Sequence, residues 1–596
     1  MKAPPVKHTK EVTLKGVKMK KSLVAIVVVI LLAIGSWYYL KPHHVRAIPA
    51  DLLPHDTLLL VDFIDLEKGI DDFKKGKFGQ KLKEIDLAKV MLELEVSKDV
   101  IEKYKNIELS VFSAIDSLLF KELFGQETAI AVLPIKIDHP KLKELKKALR
   151  SIVFISRPKH NADFTEFITR YLAKGSEGQV EVYGDYEIKN LNLDNDLSIY
   201  YSLVDGLLIA SFDSLSIKNC IHFKANQKES LAENKNYQDL RHNLVSKSIR
   251  SFVYHNTEKF CDYMLIIARS INPAGMKCFD IERSLDPFNG IKAVGYAAYD
   301  DGSDLLHDKT LVLFDKCKME PDYAKSYSFK PGENKTIQMV PEDTICYYWT
   351  NTMDTEFLFN IFSEKMFPDD KIRESKEAEF QKEFGSSLDE IFQALGNQFG
   401  IILTEIDMGS PIPIPIPKLT ILFEVKNRKT LEELFESAIQ KEGIGLEKEK
   451  IEDVEINTIV LPAVIDIQPS YVFYKGFCMV SIDRQMIKDM INVSNNGQGI
   501  ISNVDFQNVN KGLTGKNNDI VFIKFDDLID EIKELWEWEF SNIASKDQDT
   551  GTKCKIIADG VIYPFLDGLK MYKTIGSYSI MKENEIVSET YLKIDR

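Results

Sequence analysis

The chain has 596 residues, of which 44% are hydrophobic and 28% are charged, and its formal net charge at pH 7 is −15. A chain of this length and composition holds enough apolar material for large folded cores, which excludes the disordered, fibrous and low-complexity classes. Because residues 1–21 carry seven lysines and one glutamate, the remainder is more acidic than the whole, which argues against nucleic-acid binding through the main body.

One long uncharged apolar run follows this basic tail, and it covers the nineteen residues Ser22–Leu40. A helix of that length spans about 30 Å of hydrocarbon. Lysines precede the run and the aromatic residues 37–39 end it, so the positive-inside bias predicts a transmembrane helix at 22–40. Residues 1–21 would be cytoplasmic, and everything after a short linker at 41–49 would be extracytoplasmic. The alternative is a cleavable signal peptide, because Ala33-Ile34-Gly35 offers small residues to a signal peptidase.

A sequence block recurs once in each half of the chain, since residues 201–221 and 471–491 align without a gap and share seven identities. The identical pairs are Tyr201 and Tyr471, Gly206 and Gly476, Ser211 and Ser481, Asp213 and Asp483, Ile217 and Ile487, Lys218 and Lys488, and Ile221 and Ile491. The glycine predicts a tight hairpin turn, and the aspartate stands where it would cap the next helix. The block therefore predicts a hairpin followed by a helix.

The similarity extends in both directions and in the same order. Pro54-His-Asp-Thr57 recurs as Pro341-Glu-Asp-Thr344, and each copy ends in a predicted hairpin. This predicts two modules, 50–317 and 337–596, joined by a linker at 318–336. Short turns between strand pairs, with amphipathic helices between them, are typical of an antiparallel α+β fold. We therefore expect two tandem copies of an antiparallel sheet packed with helices, preceded by one transmembrane helix.

The usual catalytic and metal-binding patterns are incomplete. Ser156-Arg-Pro-Lys159 has the spacing of serine-lysine acyl-enzymes, but Pro158 interrupts the helical turn that this chemistry needs and no partner motif exists. The aspartates of 300–304 lack the closing glutamate of a calcium loop and indicate a hairpin turn. The seven cysteines include no CxxC pair, which argues against a metal site, and the formation of one or two disulfides is left as an alternative. We expect no catalytic residues, no cofactor and no metal.

Two segments depart from the usual sequence patterns of strands and helices, and they are the candidate partner contacts. The prolines at alternate positions are Pro411, Pro413, Pro415 and Pro417. They predict an extended, polyproline-like arm that either docks a partner or stiffens a hairpin tip. In the helix predicted over 526–540, Ile529, Ile532, Trp536 and Phe540 share one face, which leaves Trp538 off it. Such a tryptophan lies under a neighbouring helix or contacts a partner.

The opening Leu53-Pro-His-Asp-Thr57, together with the repeated Tyr-x4-Gly-x4-Ser-x-Asp block, resembles an uncharacterised family of bacterial membrane-anchored envelope proteins. The resemblance covers most of the chain after the apolar run. It implies membrane anchoring and this fold, and it implies no functional residues because the family's domain has no known function.

These features together predict a non-enzymatic binding or scaffolding protein of the bacterial envelope. It would be held in the cell membrane by its N-terminal helix, with an envelope protein or a lipid as its partner and no nucleic acid. The alternative is a carrier of a lipid or another apolar ligand, and an unrecognised hydrolase is a third hypothesis. A continuous apolar surface would favour the carrier, whereas an acidic patch shared by both halves would favour a protein partner.

Overall fold

The structure is a computed structural model that describes residues 49–124, 126–134, 149–159, 180–194, 197–271, 284–366, 370–408, 415–461 and 467–595. Strands of the first half are β1 (Leu59–Ile64), β2 (Glu127–Val132), β3 (Ile152–Ser156), β4 (Val180–Tyr183), β5 (Tyr186–Asp194), β6 (Leu197–Val204), β7 (Leu207–Ser211), β8 (Ile249–His255), β9 (Ile291–Tyr299) and β10 (Leu305–Phe314). Strands of the second half are β11 (Gly332–Glu333), β12 (Cys346–Thr350), β13 (Leu395–Met408), β14 (Pro415–Val425), β15 (Gly445–Ile451), β16 (Val454–Val460), β17 (Ser470–Tyr474), β18 (Phe477–Ser481), β19 (Lys516–Asn517), β20 (Asp519–Lys524), β21 (Tyr572–Met581) and β22 (Glu585–Ile594).

The described helices fall between these strands. In the first half they are α1 (Leu66–Lys75), α2 (Lys77–Glu84), α3 (Leu87–Glu93), α4 (Lys98–Asp116), α5 (Leu118–Phe124), α6 (Ser214–Ala225), α7 (Lys235–Leu244) and α8 (Thr257–Ile271). In the second half they are α9 (Pro321–Ser326), α10 (Thr355–Met366), α11 (Asp370–Phe384), α12 (Leu388–Ala394), α13 (Arg428–Lys441), α14 (Arg484–Asn496), α15 (Val504–Val509), α16 (Phe525–Lys546), α17 (Gln548–Ile557) and α18 (Tyr563–Leu569).

One antiparallel sheet of 20 strands runs through the whole structure, and β11 pairs with β19 in a separate two-stranded sheet. Its pairings follow the order β4-β5-β6-β7-β3-β2-β1-β8-β9-β10-β22-β21-β20-β12-β13-β14-β18-β17-β16-β15. The order from β4 to β10 in the first half is the order from β15 to β22 in the second. The two halves therefore meet through β10 and β22.

The prediction of two tandem sheets is wrong. β10 and β22 pair with each other from Leu305 opposite Lys593 to Leu313 opposite Glu585, and we call this pairing the seam. Each half on its own would end in an edge strand with unpaired N–H and C=O groups, and such edges pair with another strand when one is available. What recurs is a strand order inside one sheet, and the antiparallel α+β class is the part of the prediction that the structure retains.

The transmembrane helix predicted at 22–40 falls on residues that the structure does not describe. Within the described ranges, no helix is long and apolar enough to cross a membrane. The apolar run at 22–40 and the basic tail before it lie outside those ranges.

The repeated block forms the hairpins that its glycines predict. Gly206 and Gly476 have φ of 80° and 84°, and the preceding Asp205 and Lys475 also have positive φ, of 48° and 47°. Two positive φ values in succession define the turn type whose twist matches that of the flanking strands. These turns join β6 to β7 and β17 to β18, so the glycines are needed for the turn geometry.

The shared serines and aspartates have separate local roles. The Ser211 hydroxyl donates to the carbonyl oxygen of Ile152 at 2.9 Å, and the Ser481 hydroxyl donates to that of Leu419 at 3.1 Å. Each serine thus fixes the end of its hairpin to the neighbouring strand. Asp483 caps α14 by accepting from the backbone N–H of Gln485, whereas Asp213 takes the N-cap position of α6 without a side-chain bond.

Four helices pack tightly on one face of the sheet, which we call the covered face. In the first half, α6 and α7 bury a core that includes Ile217, Leu240 and Phe252. In the second half, α14 and α15 bury a core that includes Trp349 and Ile487. The two largest buried clusters of the described chain therefore lie on the same side of the sheet.

Candidate functional site

The opposite face, which we call the open face, carries apolar side chains that are only half buried. In β12, Tyr347 and Trp349 are buried on the covered face, whereas Cys346 and Tyr348 stay partly exposed on the open face. The same alternation follows β1, β3, β9 and β20, because successive side chains of a strand point to opposite faces. The helices therefore bury the covered face, whereas the open face stays accessible only where no helix lies over it.

The partly exposed apolar side chains of the open face form one patch in each half of the sheet, and we call the two patches together the apolar floor. Its members in the first half are Leu59, Val61, Ile130, Val132, Ile152, Phe154, Val253 and Val294, and in the second half Tyr348, Phe399, Ile401, Leu403, Leu419, Ile421, Phe423, Val521 and Ile523. Residues that stand opposite each other in neighbouring strands are about 5 Å apart, so these side chains touch across the strands.

Helices lie over parts of this floor. At β1, Phe63 is packed with Ile70 of α1 and Ile115 of α4. At one end of the seam, Leu306 and Leu592 lie in a cluster with side chains of α1, α2, α16 and α18. Helices of this side also carry large apolar side chains that are exposed, namely Leu109, Phe112, Leu118, Phe260, Met264, Leu535, Trp536 and Phe565. Such groups mark a binding surface where they adjoin one another, as Leu535 and Trp536 do on α16.

A stripe of hydroxyl and carboxyl side chains crosses the open face at the seam, and we call it the hydroxyl stripe. Its first row is Tyr296, Thr310, Ser588, Ser579 and Asp519, which stand opposite one another in β9, β10, β22, β21 and β20. Its second row is Asp308, Thr590 and Ser577. The stripe therefore separates the apolar floor of one half from that of the other.

Some hydrogen-bond donors and acceptors of the hydroxyl stripe are already paired with each other. The hydroxyls of Ser577 and Thr590 are 2.8 Å apart, and the Ser579 hydroxyl donates to Asp519 Oδ2 at 2.5 Å. Within the described part of the chain, the Thr310 and Ser588 hydroxyls have no hydrogen-bond partner, and they stand opposite each other. Two adjacent hydroxyls at the centre of the stripe are therefore available to a ligand.

Asp308 is the buried carboxyl of the stripe. Burial raises the pKa of Asp308 to about 6, and a hydrogen bond from Tyr296 acts in the opposite direction. The nearby Arg250 is itself ion-paired with Asp300, and both of those side chains are buried. Asp308 is thus a weaker acid than an exposed aspartate, and it adds little fixed negative charge under mildly acidic conditions.

On the covered face, the seam is held by a cluster around His307. The His307 ring is stacked between those of Tyr299 and Tyr591, with centroid separations of 5.0 and 4.6 Å. His307 Nε2 lies 3.3 Å from Glu589 Oε2, and this contact, together with a hydrogen bond from the Tyr591 hydroxyl, lowers the pKa of Glu589 to about 2. The side chains therefore add to the backbone pairing that joins the two halves.

A buried carboxyl pair lies on the covered face of the first half. Asp62 of β1 is 2% exposed, and its burial, followed by repulsion from Glu127 of β2, raises the pKa of Asp62 to about 8. Burial also raises the pKa of Glu127, while Arg157 Nε donates to Glu127 Oε2 at 3.1 Å. Arg241 of α7 lies near both carboxyls and donates to the Tyr237 hydroxyl at 3.2 Å. The strongly raised pKa of Asp62 is of the kind that often marks a functional group.

The equivalent place in the second half is uncharged. The hydroxyls of the repeated Thr57 and Thr344 donate to the carbonyl oxygens of Pro54 and Pro341, at 2.6 and 2.8 Å. These matching turns show which residues of β1 and β12 correspond. This alignment puts Trp349 where the first half has Asp62, and Trp349 Nε1 donates to Gln398 Oε1 at 3.2 Å. The fold therefore forms without a carboxyl pair at this position. Because Asp62 is sealed beneath α7, the pair can take up or release a proton, but it offers no surface to a substrate.

The predicted contact residues lie on neighbouring elements. Trp538 is partly buried in α16, whereas Trp536, expected on the buried face, is 40% exposed and stacks on Phe540 at 5.4 Å. Pro415 and Pro417 lie in β14, opposite Met408 and Ile406. The backbone N–H of Ile406 donates to Glu531 of α16 at 2.9 Å, which links this hairpin to the helix. Pro411 and Pro413 lie outside the described residues, and the contact role of all five stays a prediction.

The other sequence patterns have plain structural roles. Ser156 is buried at the end of β3, and Lys159 is ion-paired with Glu67, so the two do not act together. Residues 300–304 form the turn between β9 and β10 that their composition predicts. The described cysteines are free, and Cys278 lies outside the described ranges. Among the described residues, no three His, Cys, Asp or Glu side chains gather as a metal site requires.

Neither the hydroxyl stripe nor the carboxyl pair was predicted from the sequence. Asp62 had a usable signal, because it is the one charge in the run Leu58–Ile64 and the second half has tryptophan in its place. The stripe had none, since serine and threonine that alternate with apolar residues are also typical of strands that face water.

Comparison with protein-family models, with curated proteins and with solved structures finds no match to this chain. The resemblance to an uncharacterised envelope family therefore stays a prediction, and function has to be argued from the geometry.

Proposed function

We propose that this chain is a membrane-anchored, extracytoplasmic binding protein, and that it holds an apolar or amphipathic ligand such as a lipid on the open face. One observation carries the proposal: in both halves most apolar side chains of the covered face are buried, whereas the open face keeps a set of partly exposed ones, the apolar floor, beside those that helices bury. Apolar surface that a protein's own helices leave partly uncovered, with polar groups beside it, is typical of a ligand-binding groove. The anchor is the apolar run at 22–40.

The composition of the open face supports a ligand that lies on the parts of the sheet that no helix covers. The floor supplies aliphatic and aromatic side chains from both halves, and helices such as α4 and α5 on the same side carry the exposed Leu109, Phe112 and Leu118. Ligand sites are mostly apolar, with a few polar groups that orient the ligand, and the hydroxyl stripe supplies such groups. The proposed activity is binding rather than catalysis, because Asp62, the carboxyl with the strongly raised pKa beside Glu127, is buried on the opposite face.

The test is binding of N-phenyl-1-naphthylamine, an uncharged apolar dye whose fluorescence rises in apolar surroundings. We expect the protein to bind the dye and Ile401→Asn, on the floor, to weaken binding about tenfold, since burying an unpaired amide costs roughly 1–3 kcal/mol. The matched control is Ile501→Asn, which changes an isoleucine that is 42% exposed and follows α14 of the covered face. No binding by the parent protein, or equal loss in both variants, would contradict the proposal.

A second candidate, protein scaffolding, is favoured by one surface of α16. Leu535 and Trp536 are adjacent on this helix and are 38% and 40% exposed. Exposed tryptophan next to leucine is typical of the anchor residues of protein interfaces. The charges beside them suit a partner with basic groups, because the exposed Glu534 and Glu537 flank these two residues.

A further inference from the structure

The hydroxyl stripe lies where an amphipathic ligand would place its polar end. We propose that the stripe binds the uncharged, hydroxyl-bearing head of a lipid of the diacylglycerol class, whose acyl chains lie on the apolar floor to either side. This inference rests on the proposed function, and it adds the chemical class of the ligand. Three features of the stripe carry it.

The first feature is hydrogen-bonding capacity. Thr310 and Ser588 stand opposite each other across the seam, and within the described chain their hydroxyls have no partner. A hydroxyl both donates and accepts, so two of them side by side match the hydroxyl and ester oxygens of a glycerol head. The neighbouring pairs, Ser577 with Thr590 and Ser579 with Asp519, are already satisfied and hold the rows in place.

The second feature is charge. The acidic members of the stripe are Asp308 and Asp519, and the stripe contains no lysine or arginine. Lysines on the same face beside the stripe are paired with carboxylates, as Lys573 is with Asp526 at 2.5 Å and Lys292 with Asp315 at 3.8 Å. A phosphate head would meet carboxyl groups without a cation to balance it, which is unfavourable. The charges therefore select an uncharged head over an anionic one.

The third feature is position. The stripe crosses the sheet at the seam, with Val294 and Val253 on the side of the first half and Val521, Tyr348 and Ile401 on the side of the second. A head bound at the centre would leave apolar surface on both sides of it. Two acyl chains fit this arrangement better than one, since each half offers its own floor.

The test compares three lipids with identical chains: dioleoylglycerol, its methyl ether at the free hydroxyl, and dioleoyl phosphatidic acid. Each is delivered from cyclodextrin and displaces N-phenyl-1-naphthylamine from the full chain. We expect dioleoylglycerol to bind about tenfold more tightly than either of the others, which corresponds to about 1.4 kcal/mol. The double variant Thr310→Val with Ser588→Ala should lose that preference and bind the methyl ether as the parent does.

The matched control is Thr552→Val with Ser545→Ala, which removes two hydroxyls from exposed positions on α17 and α16 and should leave all three affinities unchanged. Equal affinity for the three lipids, or tighter binding of phosphatidic acid, would overturn the inference while leaving the proposed function intact. A parent protein that binds neither dye nor lipid would overturn both. Thermal unfolding of each variant shows that it is folded.

Discussion

Asp62 and Trp349 take equivalent positions in the two halves but meet different neighbours. Asp62 lies beside Glu127 and near Arg241, whereas Trp349 donates a hydrogen bond to Gln398. Burial of an ionised carboxylate is costly even with an arginine nearby, so the first half is stabilised most when Asp62 is protonated. The second half gains a neutral hydrogen bond and a large buried ring instead. At this scale the halves differ in chemistry while sharing their backbone.

The substitution Asp62→Asn should make stability less dependent on pH. The pKa of Asp62 is about 8 in the folded protein and about 3.9 in an unfolded chain, so the native state keeps a proton that the unfolded state has lost. Asp62 therefore makes its full contribution to the free energy of unfolding below about pH 4. This contribution is lost as pH rises to about 8. The free energy of unfolding, measured with urea at pH 5 and at pH 8, should decline less between these two pH values for Asp62→Asn than for the parent.

The control for this prediction is Glu583→Gln, in the exposed turn between β21 and β22, which should leave the decline unchanged. If the free energy of unfolding of Asp62→Asn declines with pH as steeply as that of the parent, another group is responsible for the pH dependence.

At the scale of the element, the hairpins and helices follow local rules, whereas their exposed faces depend on what lies beside them. The turns at Gly206 and Gly476 were predictable because two positive φ values in succession need glycine. The helix at 526–540 was also predictable, but Trp536 is exposed and Trp538 is the more buried of the two. Helical periodicity gives the angle between side chains around the helix axis. It does not indicate which side chains of α16 are buried by neighbouring helices such as α17 and α18.

Alanine substitutions should separate the two tryptophans of α16. Trp538→Ala removes a partly buried ring and should lower the free energy of unfolding by about 2 kcal/mol, whereas Trp536→Ala removes an exposed ring and should change it by less than about 1 kcal/mol. Thermal or urea unfolding measures the difference. If α16 also holds a protein partner, chemical cross-linking in membranes should capture the partner with the parent and not with Trp536→Ala. A larger loss of stability in Trp536→Ala would show that the helix packs differently.

At the scale of the whole molecule, one continuous sheet places both open faces on the same side. The class of the fold, its hairpins and its repeated strand order were predictable from residues such as Ser211 and Ser481, because those signals are local. The seam was not predictable. Nothing in Leu305–Phe314 or Glu585–Ile594 distinguishes an outer strand from a central one, and pairing between strands so distant in sequence depends on the assembled edges.

The seam also explains why the candidate site escaped the sequence analysis. Thr310 and Ser588 are distant in the chain and become neighbours only when β10 and β22 pair. Each looks like an ordinary surface residue of an outer hairpin. The stripe is therefore a property of the joined sheet, and it has no counterpart in either half alone.

The most direct test of the central claim is photo-cross-linking with a diacylglycerol that carries a diazirine at the end of one acyl chain, followed by mass spectrometric mapping of the labelled peptides. We predict label on open-face strands of both halves, at residues such as Phe154, Ile401 and Ile421, and competition by unlabelled dioleoylglycerol. Label confined to α6, α7, α14 and α15 of the covered face, or label that no unlabelled lipid displaces, would contradict the assignment of the open face as the binding site.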